Sequence, residues 1–427
     1  MRPKDTIVAL SSGRPPAAIS ILRISGTGAH RAAAEIMSTL PHARVASVRE
    51  IRDPHTGDLL DQALVLRFDG PASSTGEDLV ELHCHGGRAV VDALLSALVE
   101  IDGVREAQPG EFTRRAFDNG RIDLTEAEGL ADLIEAETQS QRKAALALAE
   151  GGLRRSIEEW RERLVGLSAI AERAIDYDEE DAAFDSSLSR ESELLANELD
   201  EWLERPRIEP LKDGVRVVVA GPPNAGKSSL INAITGVDKV IVTDIPGTTR
   251  DSVEVPLALG GVPVQLTDTA GLRETEDDIE AIGIARAAKL VEASDVLIWL
   301  GELDDAPSHP RLVAVHAKAD LPCRQAAPEG ALAVSSLNRQ GVGELLKRIE
   351  ALARTVLPSE GQIVLNRRQS ALLADARGEL HSAALARDVV IYAEHIRHAR
   401  TAFDRLTGRA GVEDVLDSLF GRFCLGK

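Results

Sequence analysis

The chain has 427 residues, of which 44% are hydrophobic and only 3% aromatic. This length exceeds what one hydrophobic core supports, so the sequence predicts two to four globular domains with aliphatic interiors. The formal net charge of -20 argues against a protein that coats nucleic acid through general basic character. Three cysteines without metal-ligand spacing, no secretory leader and no run of about 18 apolar residues favour a reducing, cytoplasmic location without a membrane span.

The first region, residues 1–117, alternates short apolar runs with glycine and proline. Runs rich in Val, Ile and Leu between such residues are typical of strands, and three- and four-residue apolar spacing indicates helices at 29–40 and 89–101. This mixture predicts an α+β domain. The predicted strands cover residues 6–9, 18–24, 63–68 and 78–82.

Two further segments, 118–212 and 358–427, contain little proline and carry apolar residues at helical spacing. We expect long helices that form one discontinuous α-helical bundle. The segment between them, 213–357, alternates apolar strand runs with helices, which predicts an inserted α/β domain. The acidic run from Asp176 to Asp181 is interpreted as a solvated loop.

The clearest motif lies at the start of the inserted segment, where a strand-like run at 215–220 leads into the sequence GPPNAGKS at 221–228. A glycine-rich loop between a strand and a helix is a P-loop, whose backbone amides and helix N-terminus surround phosphates. In this motif Lys227 neutralises the β- and γ-phosphate oxygens and the Ser228 hydroxyl binds Mg²⁺. The nucleotide contacts predicted here are Asn224, Ala225, Gly226, Lys227, Ser228 and Ser229.

Companion motifs follow at the spacing of a Ras-like G domain. Thr249 reaches Mg²⁺ when the γ-phosphate is present, Asp268 follows a strand-like run and holds Mg²⁺ through water, and the Gly271 amide senses the γ-phosphate. Asp320 offers a carboxylate that accepts two hydrogen bonds from guanine, which adenine cannot donate. The sequence therefore predicts a GTPase, with further nucleotide contacts at Thr249, Asp268, Thr269, Ala270, Gly271, Lys318, Asp320 and Ser335.

Two positions depart from the usual G-domain pattern. Ala317 replaces the usual asparagine of Asn-Lys-x-Asp, and we expect nucleotide binding to be weaker by about 0.5–1.5 kcal/mol, the net value of one hydrogen bond. Leu272 stands where Ras-type GTPases carry the glutamine that orients the attacking water. Hydrolysis then requires another source of assistance, and the candidates are an added cation, Glu280 or a partner subunit. Arg250 is either an internal arginine finger or a structural residue.

Motifs spread over the whole chain resemble one family, the bacterial and organellar tRNA-modification GTPases called MnmE or TrmE. The resemblance rests on the G motifs and on DTIVA at 5–9, ILRISG at 21–26, TGED at 75–78, HGG at 85–87, PGEFT at 109–113, RAF at 115–117 and FCLGK at 423–427.

This resemblance implies a folate site and a homodimer. The first domain is expected to bind a reduced folate, 5-formyl- or 5,10-methylene-tetrahydrofolate, between two subunits through Arg23, Glu81, Arg121 and the C-terminal Lys427. Arg121 stands where the family usually has lysine, so the charge is kept and the geometry changes. Cys424 is interpreted as a packing residue, with a covalent role left open.

The resemblance also implies that K⁺ replaces the missing glutamine. The implied K⁺ ligands are Asn224, Thr243, Ile245 and Thr248, and Glu280 positions the attacking water indirectly. Lys227, Thr249, Asn224 and Glu280 are thus the expected catalytic residues. The segment that carries the K⁺ ligands adds nucleotide contacts at Thr243, Asp244, Ile245, Pro246, Gly247 and Thr248.

The implied function is addition of a carboxymethylaminomethyl or aminomethyl group to C5 of the wobble uridine of certain tRNAs, with a methylene carbon from tetrahydrofolate. FAD is expected only on a partner subunit of the MnmG (GidA) type, with which the homodimer forms a heterotetramer. Two alternatives stay open on the sequence: a regulatory GTPase of ribosome assembly without modification chemistry, and an ATPase that tolerates Ala317.

Overall fold

The structure is a computed structural model that describes residues 5–176, 186–206, 208–237, 241–242, 254–269, 288–324, 326–359, 362–411, 413–421, 423 and 426. The chain divides into two compact units, Met1–Ala131 with Asp404–Lys427, and Asp132–Phe403. The bounds of the four segments expected from the sequence, 1–117, 118–212, 213–357 and 358–427, stay a prediction. None of the helices in the described ranges has the length and apolar character that crossing a membrane requires.

Thirteen strands are described, and they form two sheets. The first sheet contains β1 to β6 and the second β7 to β13. In chain order the strands are β1 (Thr6–Leu10), β2 (Ile19–Ser25), β3 (Ser47–Arg52), β4 (Leu59–Phe68), β5 (Leu79–His85), β6 (Val104–Glu106), β7 (Val215–Ala220), β8 (Ile241–Val242), β9 (Glu254–Leu259), β10 (Val262–Asp268), β11 (Val296–Trp299), β12 (Leu312–Ala317) and β13 (Leu332–Val334).

The described α-helices lie around the two sheets and in a separate helical part. In chain order they are α1 (Ala29–Glu35), α2 (Arg88–Val99), α3 (Glu111–Asp118), α4 (Leu124–Glu135), α5 (Gln139–Ala149), α6 (Gly152–Asp176), α7 (Ser186–Leu203), α8 (Glu209–Lys212), α9 (Lys227–Thr235), α10 (Val342–Val356), α11 (Arg367–Leu385), α12 (Val389–Thr407) and α13 (Glu413–Phe420).

The first sheet has the order β3-β4-β5-β2-β1-β6 and is antiparallel except for the β1–β6 pair. Apolar residues from its central strands, such as Leu22 and Leu82, form a buried core with Leu94 of α2. A smaller cluster joins Ile7 to Phe112 of α3. The α+β character expected of this region is confirmed.

The second sheet has the order β13-β12-β11-β7-β10-β9-β8, and β7, β10, β11, β12 and β13 are parallel. The strand β9 is antiparallel to both of its neighbours. In such a sheet the carboxyl ends of the parallel strands meet at one edge, where α/β proteins bind their ligands. The P-loop and the Asp268 and Lys318–Asp320 motifs follow β7, β10 and β12 at this edge.

Helices from both sides of the inserted α/β segment pack against each other. Trp160 of α6 contacts Trp202 of α7 edge-on, with ring centroids 5.3 Å apart, and stacks on Phe403 of α12 at 5.8 Å. The buried Tyr392 hydroxyl of α12 lies 2.9 Å from Ser192 Oγ of α7. These contacts close one bundle from two chain segments, so the predicted fold class is confirmed.

Candidate nucleotide-binding site

The loop between β7 and α9 turns sharply because three residues adopt left-handed backbone angles: φ is +150° at Gly221, +59° at Asn224 and +106° at Gly226. A Cβ atom at Gly221 would lie 3.1 Å from Leu300, so a larger residue forces a shift there. Asparagine tolerates this backbone region better than most residues. Gly226 is the N-cap of α9, and the unpaired amides and dipole of a helix N-terminus attract phosphate.

Lys227 places its charge inside this loop. The residue is only 7% exposed, and its Nζ donates hydrogen bonds to the carbonyl oxygens of Gly221 and Pro222, each at 2.9 Å. A buried ammonium group requires such partners, because desolvating it without them is costly. The loop therefore holds a fixed positive charge where phosphate oxygens are expected.

Ser228 and Asp268 converge beside this charge. The Ser228 hydroxyl donates to Asp268 Oδ2 at 2.6 Å, and Asp268 is buried at the end of β10, opposite Val219 in the sheet register. Hydroxyl and carboxylate oxygens are the donors that Mg²⁺ prefers. The two residues thus suit the metal role expected of them, which stays a prediction.

The motif after β12 arranges the expected base end of the site. Asp320 Oδ1 accepts a hydrogen bond from the buried Ser335 hydroxyl at 2.6 Å. Lys318, with φ of +61°, donates from Nζ to the carbonyl oxygen of Asn224 at 2.8 Å. This bond ties the base motif to the P-loop, so both ends of the site are fixed relative to each other.

A cavity of about 540 Å³ lies between these motifs. Lys318 and Asp320 line this cavity on one side, and residues of α9 line it on the other. Asn232 and Arg339 are among the lining residues that sequence reasoning missed. Asn232 was within reach of prediction, because it lies three positions after Ser229 on one helix face. The full lining is Gly226, Ser229, Asn232, Ala233, Ala317, Lys318, Asp320, Ser336, Leu337 and Arg339.

A larger cavity of about 970 Å³ lies elsewhere in the second unit, beside Trp202, Arg205, Arg216 and Asp295. It contains no residue of the phosphate or base motifs. The motif residues converge at the smaller cavity, which is therefore the candidate nucleotide site.

Several expected site residues lie outside the described residues. They are Thr243, Asp244, Ile245, Pro246, Gly247, Thr248, Thr249, Arg250, Ala270, Gly271, Leu272, Glu280, Cys424 and Lys427.

Two of the expected folate residues form an ion pair in the first unit. Arg23 on β2 and Glu81 on β5 are direct register partners, and Arg23 Nη2 lies 2.8 Å from Glu81 Oε1. The guanidinium carbon of Arg23 lies 5.7 Å from the ring centroid of Phe112, and His83 Nε2 lies 3.4 Å from Glu81 Oε2. Arg121 is exposed, and among the described contacts none joins its side chain to this pair.

Cys84 lies on the same strand as Glu81 and faces the core. Its Sγ donates to the carbonyl oxygen of Ser20 at 3.3 Å, and burial, with a smaller effect of Asp61, raises its pKa to about 11. A thiol with such a pKa is a poor nucleophile at neutral pH. Cys84 is therefore a packing residue.

The strand, loop and helix that enclose Lys227, in a mostly parallel sheet, place the chain among the P-loop nucleotide-binding proteins. The motif after β12, which carries Asp320, places it among their GTPases.

Comparisons with known proteins identify the particular family. A family model described as the MnmE helical domain matches residues 124–424, and one described as the GTP-binding protein TrmE N-terminus matches residues 6–121. The tRNA modification GTPase MnmE of Erythrobacter litoralis (strain HTCC2594) is 51% identical over 430 residues, which cover 99% of this chain and 100% of the relative. The tRNA modification GTPase MnmE of Novosphingobium aromaticivorans is 48% identical over 435 residues, with the same coverage.

One solved structure, the G domain of the T. maritima FeoB iron transporter, is 25% identical and covers 33% of this chain and 98% of its own. Its TM-score of 0.24 is too low for a comparison of folds. The full-length relatives and the two family models are sufficient: the chain belongs to the tRNA modification GTPase MnmE family. It is a GTP hydrolase that acts in tRNA modification.

Proposed function

We propose that GTP binds with its phosphates at the loop 221–226 and its base in the cavity beside Asp320. The observation that carries this proposal is the convergence of Lys227, Ser228 and Asp268 at the carboxyl edge of the second sheet. Lys227 holds a positive charge for the β- and γ-phosphates, and Ser228 and Asp268 present oxygen donors for Mg²⁺. Asp320 accepts hydrogen bonds from the guanine N1 and N2 groups.

We further propose that hydrolysis depends on K⁺, with the Asn224 side chain as one ligand and Thr243, Ile245 and Thr248 as others. Supporting this, Asn224 occupies a left-handed position at the phosphate loop, and its carbonyl is held by Lys318. When bound, K⁺ supplies positive charge beside the phosphates. Thr249 and Glu280 complete the proposed catalytic set, with Thr249 on Mg²⁺ and Glu280 positioning the attacking water.

The proposed substrate of the first region is a reduced folate that contacts Arg23, Glu81, Arg121 and Lys427. The Arg23–Glu81 pair supports it, since a guanidinium and a carboxylate side by side match both donor and acceptor groups of a pterin. Side-chain exposures of 25% for Arg23 and 16% for Glu81 leave part of the pair accessible.

In the proposed reaction, a homodimer and an FAD-containing partner subunit install a carboxymethylaminomethyl or aminomethyl group on C5 of the wobble uridine. The folate donates the methylene carbon, the flavin of the partner performs the redox step, and GTP hydrolysis times the opening and closing of the G domains. We place this reaction in the cytoplasm. The net charge of -20 is compatible with tRNA binding if the partner provides much of the basic surface.

Analysis of tRNA nucleosides in cells that lack the protein tests this function. We expect the C5 modification of the wobble uridine to disappear, to return with the wild-type protein, and to stay absent with Lys227→Ala. An unchanged modification in the deletion strain would contradict the proposal.

The proposed folate site is tested by ligand binding. Titration of the protein with 5-formyl-tetrahydrofolate should show saturable binding, and Arg23→Ala should weaken it at least about tenfold, through loss of a charged contact worth about 1.5–3 kcal/mol. Arg23→Lys keeps the charge opposite Glu81, and Arg88→Ala removes an exposed arginine at the start of α2 as a control. Equal affinities for wild type and Arg23→Ala would reject this folate site.

A further inference from the structure

The cavity beside Asp320 ends at a residue with unusual backbone geometry. Arg339 has φ of +61°, a region that glycine adopts without strain and arginine rarely does. Strained backbone persists where the surroundings hold it and often marks functional sites. Here the turn is held by Ser335, whose Oγ accepts hydrogen bonds from the amides of Leu337 and Asn338 at 3.2 and 3.3 Å.

The Arg339 side chain lies across the end of α9 that is farther from the phosphate loop. Its Nη2 is 3.0 Å from the position that a Cβ on Gly236 would take. At the other end of α9, Lys318 Cε is 3.9 Å from the corresponding position on Gly226. Both side chains line the same cavity, so two cationic residues bracket its helical wall.

The guanidinium group has no partner in the part of the chain that the structure describes, where no hydrogen bond or ion pair engages it. Leu337, two residues earlier in the same turn, is 85% exposed although it is apolar, and it also lines the cavity. A planar cation and an exposed apolar side chain at one opening suit the face of a purine, whereas Asp320 suits its edge.

A simpler function for Arg339 is stabilisation of α9, because a cation near a helix C-terminus interacts favourably with the helix dipole. That function predicts an effect on the stability of the nucleotide-free protein. It does not predict an effect on nucleotide affinity. The two functions are therefore separable by experiment.

We propose that the guanidinium plane of Arg339 covers one face of the guanine base, as a nucleotide-affinity residue of the G domain. The inference rests on the proposed placement of guanine at Asp320. It also gives the arginine at this left-handed position a function that glycine could not perform. A stacked guanidinium adds affinity at a site where Ala317 lacks the usual asparagine contact.

The test is calorimetric titration of the full chain with GDP and with 7-deaza-GDP, which lacks the N7 acceptor on the base edge. Arg339→Gly removes the side chain and relaxes the backbone angle, so it should fold. We expect it to weaken both ligands by the same factor, about fivefold to thirtyfold, because a face contact does not use N7. Arg348→Ala, an exposed arginine of α10 away from the cavity, should change neither affinity.

Three results would overturn the inference. An affinity loss below about twofold, accompanied by a lower unfolding temperature of the nucleotide-free protein, would show that Arg339 only stabilises α9. A loss seen with GDP but absent with 7-deaza-GDP would show an edge contact. If neither Arg339→Gly nor Asp320→Asn changed the GDP affinity, the placement of guanine itself would be wrong. If Asp320→Asn weakened GDP binding and Arg339→Gly did not, only the Arg339 contact would be rejected.

Discussion

The hydroxyl of Ser228 donates a hydrogen bond of 2.6 Å to Asp268, although 40 positions separate the two residues in the chain. The contact arises because β7 and β10 are parallel neighbours, with Asp268 beside Val219 in the register. Alone, Ser228 is an ordinary polar residue in the first turn of α9, and Asp268 is an ordinary carboxylate at the end of β10. Together they provide the oxygen pair from which the proposed Mg²⁺ site is built.

Replacing the Ser228 hydroxyl should impair hydrolysis. Ser228→Ala is expected to lower kcat by about a hundredfold and to raise the Mg²⁺ concentration required, because one oxygen ligand is lost. Ser228→Thr keeps a hydroxyl and serves as the matched control. Phosphate release measured over a Mg²⁺ titration gives both values, and an unaltered Mg²⁺ requirement in Ser228→Ala would count against the metal role.

Exchanging the base-reading carboxylate should change nucleotide preference. In Asp320→Asn the side chain offers a donor where guanine N2 also donates, so we expect GDP affinity to fall by about tenfold to a hundredfold and the affinity for xanthosine diphosphate to rise. Asp304→Asn, on an exposed position, is the control. Competition binding measures the ratio of the two affinities, and the same ratio in wild type and variant would show that Asp320 does not read the base.

The monovalent cation should control the rate. We expect hydrolysis to be at least about tenfold faster in K⁺ than in Na⁺ at equal ionic strength, a difference of about 1.4 kcal/mol in activation free energy. Asn224→Ala should remove that difference, but it also strains a residue with φ of +59°. Asn224→Gly relieves this strain and still lacks the ligand, so both variants should behave alike. Rates independent of the cation in wild type would reject the proposal.

The rate of thiol labelling should distinguish the buried Cys84 from the exposed Cys323. With a pKa of about 11, only about one Cys84 thiol in a thousand is ionised at pH 8, so labelling by a disulfide reagent should be slow, whereas the exposed Cys323 should react quickly. A Cys424→Ser background limits the signal to these two residues, and Cys323→Ser should abolish the fast phase. Rapid labelling of Cys84 in the folded protein would contradict its burial.

The same pKa shift has a defined effect on stability. The folded-state pKa of Cys84 is raised from 9.0 to about 11, so the unfolded chain releases this proton at lower pH than the folded chain does. The contribution of the protonated thiol to folding is therefore complete below about pH 9 and declines as pH rises towards 11.

Local sequence patterns were sufficient to predict the strand and the loop that build the phosphate end of the candidate site. The run at 215–220 consists mainly of buried valines and matches β7. The loop after it is recognised as a P-loop from a contiguous sequence motif alone. Other features depend on tertiary contacts. The strand β9 contains Pro256, which weakens the sequence signal for a strand. The strand β3 lies at the edge of its sheet and contains three charged residues, so its apolar pattern is weak. Helix α1 ends at Glu35, five residues before the predicted limit.

The position of Arg339 at the candidate site also depends on tertiary contacts and could not be predicted from the sequence. A single arginine after Ser335-Ser336-Leu337-Asn338 carries no local signal, because its relation to Gly236 arises only when α9 and the turn after β13 pack together. Asp320, in contrast, was predictable because the motif that contains it is contiguous.

The most direct measurement is binding and turnover of GTP and ATP by the purified protein in potassium buffer with Mg²⁺. We expect one GTP to bind per chain, to be displaced by GDP and not by ADP, and to be hydrolysed by the wild-type protein but not by Lys227→Ala. Absence of GTP binding, or equal turnover of ATP and GTP, would contradict a guanine-nucleotide site built from Lys227, Ser228, Asp268 and Asp320.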